Sequence, residues 1–303
     1  MFRFSNAVLA LALCVAVPAL AEDRVTLGWG RMFSNDALGD AKDRWRTGGY
    51  QVSRVRGYDW HGALPQTPGE LLEFRAAAQI VAPEDLVSPP LTDRRYATLL
   101  SFGMHTQFDW RGNDVSLGAD VVVTGPQTGI SNFQAWVHNM LNLPKPRVVD
   151  TQIGDGVYPT LVAELGRRLP LGDRVTLRPF VEAQVGVETL VRIGGDVVVG
   201  TLGRDDVMVR DSITGQRYRA VDGTRDRAVS LVLGGDYSEV FGSALLPDSG
   251  IAKLSHQRAR LRAGVHWQGE KASVFYGITY LGKEFDQQSE GQLVGALNLS
   301  LNF

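Results

Sequence analysis

Five histidines carry the side chain whose ordinary pKa, near ~6.5, suits proton transfer at neutral pH. His138 falls in a long polar connection, four residues after Gln134, so on a helix the two share a face. His105 and His266 fall inside alternating segments, His61 in a connection, and His256 at a strand start near Lys253 and Arg258. Asp36, beside Asn35, offers the oxygen donor that a hard cation prefers, although Asn-Asp is equally a common turn pair. Thr47 and Asn35 bring a hydroxyl and an amide, which serve a ligand or a plain strand-end hydrogen bond equally well. No G-x-S-x-G elbow and no H-E-x-x-H occurs. The single cysteine, Cys14, lies in a leader, so thiol catalysis, disulfides and cysteine-held metals are excluded for the chain that follows it.

The elements that position these residues begin after that leader. Arg3 supplies its positive start, Val8 to Leu20 an apolar run, and Ala19-Leu20-Ala21 an A-x-A cleavage site. Residues 1–21 are therefore expected to be a signal peptide and 22–303 the working domain. Beyond the leader no stretch of 18 apolar residues occurs, so helical membrane spans are not expected. A net charge of −2 gives no basic face for nucleic acid.

The alternation of side chains is long for a soluble sheet. In 174–188, Val175, Leu177, Val181, Ala183, Val185 and Val187 oppose Arg174, Thr176, Arg178, Glu182, Gln184 and Glu188. In 258–268, Ala259, Leu261, Ala263, Val265 and Trp267 oppose Arg258, Arg260, Arg262, His266 and Gln268. The stretches 114–124 and 99–110 behave alike. Soluble strands typically run ~5–6 residues, whereas a tilted membrane strand needs ~9–11. The fold class that follows is an all-β, transmembrane antiparallel β-barrel of about twelve strands, inserted in an outer membrane. The strands are expected at 24–34, 46–57, 70–81, 96–110, 113–124, 157–169, 173–189, 192–203, 226–239, 257–268, 272–282 and 291–303. The stretch 204–225 reads as an intervening loop or a bent strand extension. The last segment, with Leu293, Leu297, Leu299, Leu301 and the terminal Phe303 on one face, resembles the signal read by the barrel assembly machinery.

In an even-stranded barrel both chain ends lie at the periplasmic end, so 35–45, 82–95 and 125–156 emerge together on the outside. Within the last of these, Ile130, Phe133, Val137, Met140 and Leu141 recur at helical spacing before Pro144 and Pro146. A short helix in an external loop is expected there.

On these three external segments the sequence resembles the lipid A 3′-O-deacylases of the outer membrane. Asn35-Asp36, Asp43-Arg44 and Thr47-Gly48-Gly49 are similar to that family's N-D … D-R … Y-T-x-G run. Asp93-Arg94-Arg95-Tyr96-Ala97 is similar to its D-R-P-Y-A-G stretch. Thr124-Gly125-Pro126, Gln134, His138 and Asp150-Thr151-Gln152 resemble its G-P … Q-x-x-x-H … W-x-x-Q segment. The resemblance implies a calcium-dependent hydrolase that removes the 3′-linked acyloxyacyl group of lipid A, with a histidine activating water and calcium polarising the ester carbonyl. It makes His138 the base and Asp36 the calcium ligand. Asn35 becomes an oxyanion donor, and Thr47 a residue that orients substrate or the calcium shell. Gln134 is expected to contact a sugar or fix the imidazole. Arg46, with Lys145, Arg44 and Arg147, forms a cationic set able to pair with lipid A phosphates or to remain ordinary loop charge.

The sequence departs from the family pattern in four places. Arg46 replaces a tyrosine, Arg95 a proline and Thr98 a glycine, and no acidic residue follows His138 before Asp150 and Asp155. The competing readings are a non-catalytic barrel, either structural or a narrow pore partly filled by Arg178, Glu182, Arg260 and Arg262, and a phospholipid acyl hydrolase with the same chemistry.

Overall fold

The computed structural model describes residues 23–301 apart from 141, 143–146 and 224–226, and leaves aside the side chain of Val137. The leader expected at 1–21, Lys145 and the terminal Phe303 lie outside the described residues.

The strands are, in chain order, β1 (Val25–Asn35), β2 (Trp45–Gly57), β3 (Leu72–Ala82), β4 (Ala97–Trp110), β5 (Asn113–Thr124), β6 (Gly156–Gly166), β7 (Leu169–Pro170), β8 (Val175–Val185), β9 (Glu188–Val199), β10 (Val207–Arg210), β11 (Arg217–Val221), β12 (Ala228–Ser243), β13 (Gln257–Gln268), β14 (Ala272–Leu281) and β15 (Gln292–Leu301). Thirteen of them form one sheet, and setting aside the two-residue β7 leaves twelve staves. β6 pairs with β8 and β1 with β15, so the antiparallel ladder closes on itself. Every expected strand is present. The largest change is at 173–189, where β8 stops at Val185 and Gly186 reverses the chain at φ 148°. Alternation continues through a two-residue turn, so periodicity alone did not reveal the break. Val187, expected on the lipid face, is instead buried.

The outward face is apolar, as lipid demands. Trp29, Phe102, Leu161, Ile193, Leu233, Leu261 and Leu299 are all exposed. The inward face buries charge, and ion pairs there offset a cost of several kcal/mol for a buried ion left alone. Arg178 meets Asp114 and Glu164, and Arg192 meets Glu182. Arg260 and Arg262 share Asp236, and Arg262 also holds Asp196 at 2.7 Å.

Within the segment expected to be a loop or strand extension at 204–225, residues 207–221 are neither. β10 and β11 form a hairpin that enters the lumen. Its turn is closed by Asp211, which accepts from the amide and the hydroxyl of Thr214 at 2.7 and 2.6 Å. Val207, Val209, Tyr218, Ala220 and Val221 pack against wall residues Met32, Val55, Val232, Phe275 and Ala296. The wall admits this contact because β1 carries Gly28 and Gly30 there. A Cβ on Gly28 would lie 2.3 Å from the Ala220 carbonyl oxygen, and one on Gly30 would lie 2.7 Å from the Tyr218 ring. The hairpin's Arg210 pairs with Glu164 and Asp196. Beside the hairpin the lumen keeps a cavity of about 200 Å³, lined by charged residues such as Arg75, Glu164, Arg178 and Arg210 together with apolar ones such as Val122 and Val162.

Candidate active site at the barrel mouth

Three connections meet at the end opposite the termini: 36–44, 83–96 and 125–155. The last contains the single α-helix among the described residues, α1 (Ile130–Met140), where a helix was expected. Its polarity is inverted relative to a water-facing helix. Ser131, Gln134 and His138 are buried, whereas Phe133, Trp136 and Met140 are exposed. The buried polar side is the one that carries the candidate chemistry.

Asn35 ends β1 and caps a 3₁₀ turn over Asp36–Leu38, its side-chain oxygen accepting from Ala37 N at 2.8 Å. The cap occupies the amide oxygen and leaves the NH₂ group as a donor. That nitrogen lies only 3.2 Å from where a Cβ on Gly48 would stand, so the glycine keeps space beside it. Asp36 is buried, and its carboxylate accepts from Arg44 N at 2.9 Å. Burial, opposed by that hydrogen bond and reinforced by the nearby charge of Asp43, pushes its pKa up to about 7.

Thr47 links the two carboxylates. Its hydroxyl lies 2.5 Å from Asp43 Oδ1 and 3.4 Å from Asp36 Oδ1. A register shift between Trp45 and Gly48 brings Thr47 into this position. Trp45 there adopts φ 50°, a conformation that side-chain-bearing residues rarely take. It is held by burial against Leu190, Leu246 and Phe285 and by the Arg44 guanidinium, 4.1 Å from its ring centre.

From the other side, His138 Nε2 stands 3.8 Å from Asp43 Oδ2. One turn earlier, Gln134 accepts a 2.6 Å hydrogen bond from the buried Tyr96 hydroxyl. Asn35, Asp36, Thr47, Gln134 and His138 thus converge where helix and wall meet. Asp43 and Tyr96, quoted in the motifs but given no part, are the residues that join them. The carboxylate that faces His138 thus lies in the first connection and not in the residues that follow the histidine.

Arg46 does not join this group. It is buried and turned into the mouth, 2.6 Å from Glu284 and 3.5 Å from Glu188. Arg94 also pairs with Glu284, and Arg258 holds Glu188 at 3.0 Å. The sequence offered Arg46 as either a phosphate-binding cation or ordinary loop charge, and the structure shows its guanidinium already paired with two carboxylates. Arg44 is likewise engaged, by Glu290, Asp40 and Glu84.

A closed antiparallel barrel with an apolar outer surface and a charged, filled lumen defines an integral outer-membrane protein. The family model described as "Outer membrane protein LpxR" matches residues 8–303, and the chain belongs to that family. Among solved structures it is similar to LpxR from Salmonella typhimurium, with a TM-score of 0.77 and 18% identity over 91% of this chain and 100% of that one. The β-domain of the Bordetella autotransporter BrkA gives a TM-score of 0.45 and 13% identity over 91% of this chain and 99% of that one. A search of curated proteins returned no match.

Proposed function

We propose that this barrel hydrolyses the 3′-linked acyloxyacyl ester of lipid A in the outer leaflet. The observation that carries the proposal is the Asp43–His138 contact. It joins the first connection to the helix and completes a base with an acidic partner beside Asp36, Thr47 and Asn35.

In this reading His138 takes a proton from water as the water adds to the ester carbonyl. Asp43 holds the imidazole in position and stabilises the charge it acquires. The Asn35 amide donates toward the developing oxyanion. The ester C–O bond then breaks, the 3′ oxygen leaves with a proton, and the acyl group departs as a carboxylic acid.

The donors around Asp36 fit calcium: two carboxylates and a hydroxyl, all hard oxygens, with repulsion between the carboxylates that a cation would relieve. No group of three or more His, Cys, Asp or Glu placed for a metal occurs among the described residues, so carbonyl oxygens and water would complete the shell. Calcium, when bound, supplies positive charge to polarise the carbonyl. The test is mass spectrometry of lipid A from cells that express the chain. A loss of mass equal to the 3′ acyloxyacyl group, abolished by His138→Ala, is expected. Unchanged lipid A beside a folded barrel would remove the proposal.

A further inference from the structure

On α1, residues 131, 134 and 138 fall on one side, while 133, 136 and 140 fall about half a turn away at ~100° per residue. The first set is buried, and the second is 61%, 57% and 57% exposed for Phe133, Trp136 and Met140. The rings of Phe133 and Trp136 stack with centres 5.8 Å apart, making one continuous apolar surface rather than scattered contacts. A helix standing in water would turn these three inward and its Ser, Gln and His outward. The helix follows β5 and precedes β6, whose outward residues Val121, Val157 and Leu161 belong to the exposed lipid-facing belt. Two polar residues, Asn132 and Asn139, are also exposed, between the buried and apolar sides. This distribution is the one a helix adopts when it lies in the plane of a membrane interface.

We infer that the Phe133–Trp136–Met140 face is immersed in the acyl layer of the outer leaflet, so that α1 is a membrane anchor extending the barrel's lipid belt above the strand ends. A consequence, which rests on the hydrolase reading, is that the cleft between α1 and the wall opens at the depth of the lipid's ester linkages. Substrate then enters sideways from the leaflet.

Spin-label accessibility tests the anchor directly. The chain has one cysteine, Cys14, so Cys14→Ser gives a clean background. A nitroxide placed through Trp136→Cys, in the full chain folded into phospholipid vesicles containing lipid A, is compared with labels through Phe102→Cys on the lipid belt and His61→Cys in an exposed connection. The expected result is accessibility to oxygen and protection from a water-soluble nickel chelate, matching the label at 102. Accessibility matching the label at 61 would overturn the inference. Should Trp136→Cys block insertion, Met140→Cys carries the same comparison. The two readings fail separately. A label in the acyl layer without lipid A hydrolysis removes the activity and keeps the anchor, whereas hydrolysis with a label in water removes the anchor alone.

Discussion

The Asp43 carboxylate stands between the Thr47 hydroxyl, 2.5 Å away, and His138 Nε2, 3.8 Å away. Its two oxygens therefore tie β2 to the helix-bearing connection. If Asp43 orients the imidazole, Asp43→Asn at saturating calcium should lower kcat about tenfold or more with little change in KM, because the substrate contacts remain. His138→Ala should cost about 10²–10⁴-fold. A change confined to KM in Asp43→Asn would place Asp43 in substrate binding instead.

The raised pKa of Asp36 carries a sign. With its pKa pushed up to about 7, the folded mouth without a cation holds a proton that the unfolded chain has already released above about pH 4. Folded protein binds more protons across that window, so local stability falls as pH rises through it. Asp36→Asn should flatten the trend, as read by amide hydrogen exchange of residues 36–44 in chelator between pH 4 and 8. Calcium displaces the same proton, so its apparent affinity should rise by up to ~tenfold per pH unit until about pH 7. An equal slope in the variant would contradict this account of Asp36.

Tyr96→Phe deletes the 2.6 Å bond to Gln134 and leaves a buried amide oxygen without its donor. A cost of about 1–3 kcal/mol is expected, concentrated in the attachment of α1 to the wall. Faster proteolysis within 125–155, with the barrel otherwise intact, is the readout. Unchanged cleavage would show that other contacts hold the helix.

Glu284→Gln strips charge from a carboxylate that both Arg46 and Arg94 use. Burial alone would raise its pKa, but those guanidiniums hold it well below the ordinary carboxylate range. Leaving two buried arginines undercompensated should destabilise the mouth by about 3–5 kcal/mol. Lowered thermal stability in detergent would register the loss. Arg46→Ala should behave in the same way and should not selectively impair hydrolysis of bis-phosphorylated over dephosphorylated lipid A. Such selectivity would restore Arg46 to phosphate recognition.

The barrel was legible because lipid on one side and buried ion pairs on the other impose a period of two along every stave. That rule finds β13 and β14 almost to the residue and is blind to turns that preserve the period, as at Gly186. The lumen hairpin was hidden for a related reason. Its Arg and Asp content resembles an exposed loop, and only the facing acids on β6 and β9, together with Gly28 and Gly30 on β1, explain where it goes. At the site, motif order marked Asn35, Asp36, Thr47, Gln134 and His138. Their linkage through Asp43 and Tyr96 crosses long sequence separations that spacing cannot show. The departures from the family pattern also have physical roles. Arg95 bonds the Thr151 and Gln152 carbonyls at 2.8 and 2.7 Å, and Thr98 bonds the Gly125 carbonyl at 3.0 Å. Both tie the helix-bearing connection to its neighbour.

The most direct test of the central claim is the mass of lipid A after incubation with the purified, folded barrel, with calcium or with chelator, for the unaltered chain and for His138→Ala and Asp43→Asn. This mechanism predicts loss of the 3′ acyloxyacyl group by the unaltered chain in calcium. It also predicts none in chelator, a reaction slowed about 10²–10⁴-fold with His138→Ala and a smaller slowing with Asp43→Asn. Equal deacylation by the unaltered chain and His138→Ala would contradict it.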